Sequence, residues 1–165
     1  MNKFLNITTA ILISSLAIFA SCGGGSEEPD VPIDPCVANA ELLVGATATI
    51  AKVTNPSGTI VNDDWTGFTL TFIGNKDGGN YSTNVSSLDD SSLANIWAAS
   101  GGWTFDDADA NCKTLSVNGG FAAGARSVSI SAITTNGINL TFQVPETDTG
   151  RTMGIPGTWV FEFDY

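Results

Sequence analysis

From residue 46 onward the chain alternates apolar and polar side chains with a period of two, in short runs separated by turn-forming clusters. Phe68, Leu70 and Phe72 alternate with Thr69 and Thr71, then comes the turn cluster Gly74-Asn75-Lys76-Asp77-Gly78-Gly79, and Tyr81 to Val85 reads as the returning strand of a hairpin. Trp103 and Phe105 share a face; so do Val128, Ile130 and Ala132, and again Leu140, Phe142 and Val144. Asn136-Gly137 lies between the last two of these runs and predicts a tight turn with positive φ. The final run puts Trp159, Phe161, Phe163 and Tyr165 on one face, with Val160, Glu162 and Asp164 on the other. Ala46 to Thr54 is a plainer first strand, ended by Asn55-Pro56-Ser57-Gly58.

One stretch departs from this period. Leu93, Ile96 and Trp97 fall at i, i+3 and i+4 behind Ser and Asp residues suited to capping, which predicts one short helical segment near residues 87–97. The remainder predicts an all-β domain of about eight or nine antiparallel strands in sequence order. An up-and-down β-barrel accommodates that count and leaves no open sheet edge.

The first residues follow a different rule. Asn2-Lys3 followed by the apolar run Ala10 to Ala20 has the form of an export signal, too short for a membrane span. Phe19-Ala20-Ser21-Cys22 resembles the lipobox of bacterial lipoproteins, in which small residues precede the cysteine that becomes the lipidated first residue. The resemblance implies a signal peptide over residues 1–21 and acylation of Cys22, a stable anchor because several acyl chains bury many methylenes. Residues 22–40 then read as a tether. Gly23 to Asp30 is flexible and acidic, and Pro29, Pro32 and Pro35 recur every third residue as in a polyproline II helix, for a reach of roughly 40 Å. The Ser26-Glu27-Glu28 segment resembles acidic signals that send lipoproteins of some Gram-negative groups to the outer face of the outer membrane. The globular domain is expected over residues 41–165.

Charge and cysteine content narrow the function. The 165-residue chain has a formal net charge of -11, and removal of the leader takes away Lys3 alone among charged side chains. Lys52, Lys76, Lys113, Arg126 and Arg151 are scattered singly, so no basic face for nucleic acid is expected. The chain has no histidine, which removes Ser-His-Asp and Cys-His nucleophilic sites and His-ligated zinc. Of the 3 cysteines, assigning Cys22 to the lipid leaves Cys36 and Cys112, an expected disulfide in an oxidising compartment.

Trp97-Ala98-Ala99-Ser100-Gly101-Gly102-Trp103-Thr104-Phe105, with Gly157-Thr158-Trp159-Val160-Phe161 and Phe68 to Phe72, resembles the lipocalin-like lipoproteins of Gram-negative bacteria. The resemblance spans roughly residues 41–165 and implies a lipocalin-like barrel in a family mostly without assigned activity.

Candidate chemistry is sparse. Asp107, Asp109 and Asn111, supported by Asp106, have the alternating oxygen ligands of a calcium loop, but lack the Gly and the distant Glu of an EF-hand; an acidic hairpin turn explains them more simply. Glu146 and Glu162 are the pair to consider for glycoside chemistry, though nothing in the sequence joins them. Trp65 and Trp97 sit beside turns, where they would either stack on a sugar and line a barrel mouth or plug the barrel ends. The expectation is a noncatalytic, membrane-anchored binding protein without a cofactor, for a small apolar molecule or a glycan. The alternative is a solid barrel serving as an accessory subunit of an envelope complex.

Overall fold

The computed structural model describes residues 32–121, 124–146 and 156–165. The leader, Cys22 and the tether up to residue 31 lie outside them.

Eight antiparallel strands close into a barrel in sequence order. They are β1 (Thr47–Thr54), β2 (Thr69–Asn75), β3 (Gly78–Thr83), β4 (Ser100–Phe105), β5 (Thr114–Val117), β6 (Arg126–Thr134), β7 (Gly137–Val144) and β8 (Gly157–Asp164). Closure is made by β1 on β8, from Thr49 opposite Asp164 to Thr54 opposite Val160. Alternation explains the layering. Leu70 and Phe72, Trp103 and Phe105, Leu140 and Phe142, and Trp159, Phe161 and Phe163 point inward and are buried. Outward positions are dominated by short hydroxyl side chains, with Thr47 opposite Thr71, Thr71 opposite Ser82, Thr104 opposite Ser116 and Ser129 opposite Thr141. Apolar in and hydroxyl out is the reverse of a barrel whose outer band faces lipid.

Two bulges interrupt the pattern, in β1 between Ile50 and Lys52 and in β6 between Ile130 and Ala132. The second corrects one expectation: Ala132 does not share the inward face of Val128 and Ile130 but is exposed, because the extra residue turns the strand by one position. The β6–β7 hairpin is also shifted. Its turn residues are Thr135 and Asn136, Gly137 already pairs with Thr134, and neither Asn136 nor Gly137 has positive φ. Gly137 is needed for a different reason: a Cβ there would lie 2.1 Å from the carbonyl oxygen of Phe163 on β8.

An element absent from the sequence expectation precedes the barrel. Helix α1 (Pro35–Leu43) occupies residues assigned to the tether and to the domain's edge. Pro35 does not continue a polyproline run; it takes the first helical turn, where its missing N–H costs nothing, behind Asp34, whose carboxylate accepts from the Cys36 amide at 2.9 Å. Burial of Ala40 and Leu43 and the disulfide from Cys36 fix the helix. It contacts β2 and β6, which are half a turn apart in the closed strand order, so α1 lies across one mouth of the barrel.

The helical segment expected near residues 87–97 is a pair of 3-10 turns, Val85–Ser87 and Ser91–Asn95, the second capped by the Asp90 carboxylate on the Ser92 amide at 2.8 Å. Val85 therefore belongs to the connection and not to the strand, which ends at Thr83. A third 3-10 turn, Asn62–Trp65, lies in the β1–β2 connection.

Candidate functional site

Up-and-down topology places the connections alternately at the two mouths, and the mouths differ. Opposite α1, the β1–β2, β3–β4 and β7–β8 connections are long, while the β5–β6 connection matches the length of the β4–β5 one at the α1 mouth. Asparagine side chains bind the first two to the strands. Asn62 accepts from the Val53 amide at 2.8 Å and donates to the Ala51 carbonyl at 3.1 Å; Asn84 accepts from the Thr69 amide at 2.8 Å and donates to the Gly67 carbonyl at 2.8 Å.

These connections carry Trp65 and Trp97 into the interior, where their exposures are 0% and 1%. Both are beside turns, as the sequence places them, but neither is at the surface where a sugar would stack. Trp65 stands edge-on to Phe68 at 5.0 Å and to Phe161 at 4.8 Å between ring centroids. Trp97 stands edge-on to Phe142 at 5.1 Å and to Tyr81 at 5.8 Å, and meets Phe161 at 6.1 Å. Phe161 is itself stacked on Phe142 at 5.4 Å and on Phe163 at 6.0 Å, so the tryptophans converge on one ring from the same mouth. The ring contacts continue through Tyr81, Phe72, Trp103 and Phe105 to the other end. The indole N–H groups of Trp65 and Trp97 and the Tyr81 hydroxyl are buried without a hydrogen-bond partner.

Arg126 is a residue that composition alone undersold. It continues the inward face of Val128 and Ile130, a signal present in the alternation, and it is buried. Its guanidinium lies 3.9 Å from the Phe121 ring centroid and 5.2 Å from that of Phe142, and it donates to the Ile96 carbonyl and, at 3.4 Å, to that of Asn95. A cation at the end of the Ser91–Asn95 turn meets the carbonyls that the turn leaves open. Burial pushes the neighbouring Tyr81 phenol up to about 12, with the Arg126 charge acting in the opposite direction.

At the α1 mouth only Lys76–Asp77 separates β2 from β3 and only Thr135–Asn136 separates β6 from β7, while β4 and β5 are joined by the longer Asp106–Lys113 loop. That loop carries Cys112, joined to Cys36 with Cα atoms 5.1 Å apart. Asn39 donates to the carbonyls of Asn111 and Cys112, both at 3.0 Å, so the helix and the loop are held side by side. A groove of about 520 Å³ runs between them, lined by Asp34, Asp77, Asp106, Asp107 and Asp109 and floored by both cysteines. Lys76 also lines it, with its ammonium 2.8 Å from the Asp77 carboxylate, and that bond raises the lysine pKa. A second cavity of about 420 Å³ flanks α1 beside Val37, Ala40, Val44 and Gly74.

The proposed calcium ligands Asp107, Asp109 and Asn111 lie on this loop, but its carboxylates are aligned on the chain's own amides. Asp109 accepts from the Asn111 amide at 3.0 Å with one oxygen and from the Lys113 amide at 2.8 Å with the other, and the first of these bonds leads the lowering of its pKa. Asp106 accepts from the Ala108 amide at 3.0 Å, while the Asn111 carbonyl is taken by Asn39. Among the described residues no group of three or more acidic, cysteine or histidine side chains is arranged to hold a metal ion. Glu162 is on the outer wall, ion-paired with Lys52 and opposite Asn139, whereas Glu146 follows β7 at the far mouth, seven residues beyond Asn139, or roughly 23 Å along the strand direction. The structure does not bring these two carboxylates together.

No described helix is long and apolar enough to cross a membrane. No family model matches the sequence, and neither a curated protein nor a solved structure matches it. The function is therefore read from the filled interior and the groove beneath α1.

Proposed function

We propose that this protein is a noncatalytic, lipid-anchored envelope protein of the lipocalin-like lipoprotein type that acts through its outer surface, as an accessory subunit of a cell-envelope complex. The observation that carries this reading is the unbroken chain of ring contacts through the barrel, from Trp65 through Phe161 to Trp97 and on through Tyr81 and Phe72 to Trp103 and Phe105. An eight-stranded barrel is just wide enough to be filled by side chains or to hold one small ligand. Here the large side chains occupy the space, which favours the solid barrel over the carrier of a small apolar molecule. The separation of Glu146 from Glu162 and the lack of histidine support a noncatalytic role. The lipobox-like Phe19-Ala20-Ser21-Cys22 supports the anchor.

The groove beside α1 offers relief for a partner, and its carboxylates favour a cationic segment over an acidic one. Three measurements test the proposal. Native mass spectrometry of the purified mature protein should give the mass of the lipidated chain alone; a stoichiometric small molecule would overturn the solid-barrel reading. Photo-crosslinking in living cells from position 107, in the groove, should capture one recurrent envelope protein, while the same probe at position 129, on the outer wall, should not. Replacing Cys22 with Ser should release the protein from membranes, and retention of that variant would overturn the anchor.

A further inference from the structure

We infer that α1 is a lid clasped by the Cys36–Cys112 disulfide, so that the groove beside it exists in the oxidised protein and is lost on reduction. The helix is nine residues long, shorter than an isolated helix needs to be stable in water. It buries Ala40 and Leu43 against the barrel. Its C-terminal end continues into β1 and is fixed there: the Gly45 amide donates to the Phe72 carbonyl at 3.1 Å, and Val44 bridges to the same residue. Its N-terminal half is held to the β4–β5 loop by the disulfide and by the two Asn39 hydrogen bonds.

The two sides of the clasp differ in rigidity. Cys112 sits in a loop tied down by the Asp109 carboxylate, its own amide donating to the Asp109 carbonyl at 2.8 Å and its backbone held at φ 50, a region L-residues rarely adopt. These contacts lie within the loop and do not need the sulfur. Cys36, by contrast, lies in the first turn of α1, where the other attachments to the barrel, through Ala40, Leu43 and Gly45, are made further along the chain. When the bond opens, the helix is the side that moves, taking Asp34 and Cys36 away from the groove they line.

Cys112 is buried, but Cys36 is half-buried and lines the groove, so a small thiol approaches the bond from the Cys36 side. Reduction by a dithiol is a two-electron exchange. A thiolate of the reductant attacks one sulfur, the other leaves as thiolate and takes a proton, and the second reductant thiol closes the mixed disulfide to give two protein thiols and the oxidised dithiol.

The expected effect follows from the loop that the clasp closes. Although the cysteines are 76 residues apart in sequence, the folded barrel already positions Cys112. Local release therefore frees only about eleven residues, from Cys36 to the start of β1, and closing such a loop changes the opening equilibrium about 100-fold.

The test is amide hydrogen exchange followed by mass spectrometry on the mature protein in detergent micelles, oxidised and after dithiothreitol. Reduction should lower protection in residues 35–44 about 100-fold while β7 and β8 keep theirs. Undiminished protection in α1 would overturn the lid, as would an equal loss in β7 and β8, which would make the disulfide a staple of the whole fold. The variant Asn39→Ala, kept oxidised, should retain most of the protection in α1. If that substitution alone frees the helix, the clasp is not the disulfide.

Discussion

At the α1 mouth, strands are joined by tight connections such as Lys76–Asp77 and Thr135–Asn136, and the opening is covered by a separate element fastened through Cys36 and Cys112. At the opposite mouth no separate element is added among the described residues. The strand connections themselves fold inward, and Trp65, Trp97 and Arg126 fill the opening. The first closure depends on a bond that chemistry breaks without touching the barrel, whereas the second is continuous with the core and opens only if the core is disturbed. At the α1 mouth the helix supplies Ala40 and Leu43 to the core.

The sharpest way to break this contrast is at Phe161, against which both tryptophans rest. Phe161→Ala removes the ring they share with Phe142 and Phe163, and should destabilise the protein by about 5 kcal/mol in urea denaturation, the upper end for such truncations because a filled barrel collapses poorly around a void. A loss below about 2 kcal/mol would mean that the interior is looser than its ring contacts indicate. Next in size is Arg126→Met, which keeps the packing of the stem but removes the guanidinium from the Ile96 and Asn95 carbonyls. The expected cost is about 2 kcal/mol, with faster amide exchange over residues 91–97 and none added in α1. Equal loosening at both mouths would erase the distinction between them.

These two mouths were unequally legible in the sequence. Strands β7 and β8, and the first half of β2, announce themselves because each buries one face there, so period-two alternation survives. Alternation failed at Ala132, where a bulge resets the register, and bulges leave little trace in composition. Helix α1 was hidden because Pro35 fits both a polyproline repeat and a first helical turn, and the choice is made by tertiary contacts of Cys36, Ala40 and Leu43. The cysteine pair was legible by counting. The groove was not, since Asp34, Asp77 and Asp106 to Asp109 come from three separate segments that no local pattern connects. Arg126 was legible as the first inward position of β6, but a charge at such a position argues against burial until the aromatic faces and carbonyls that receive it are known.

A smaller effect comes from the tyrosines, whose hydroxyls at Tyr81 and Tyr165 are buried without partners. Burial raises both phenols to about 12. The unfolded chain begins to ionise near the ordinary tyrosine value of about 10, while the folded protein still holds the protons, so stability is retained below about pH 10 and lost as pH rises from there toward 12. Denaturation midpoints measured between pH 8 and pH 11.5 should show that fall, and Tyr81→Phe should reduce it. At neutral pH the same substitution should be neutral or stabilising by up to about 1 kcal/mol, because it removes an unsatisfied hydroxyl and keeps the ring contacts with Phe72 and Trp97.

The least effect is expected on the outer wall, which belongs to neither mouth. Lys52 and Glu162 pair across β1 and β8 with their side chains 42% and 34% exposed. Water and salt screen such a pair, and both long side chains lose rotamer freedom to make it, so a double-mutant cycle with Lys52→Ala and Glu162→Ala should return a coupling below about 1 kcal/mol that shrinks further in 1 M salt. The β1 bulge lies beside Lys52, and this makes the experiment more than a control. If the pair fixes the bulge and hence the closure of β1 on β8, the coupling will exceed that bound and persist in salt. If hydrogen bonding and the inward Val53 and Phe161 set the register, as their complete burial indicates, it will not.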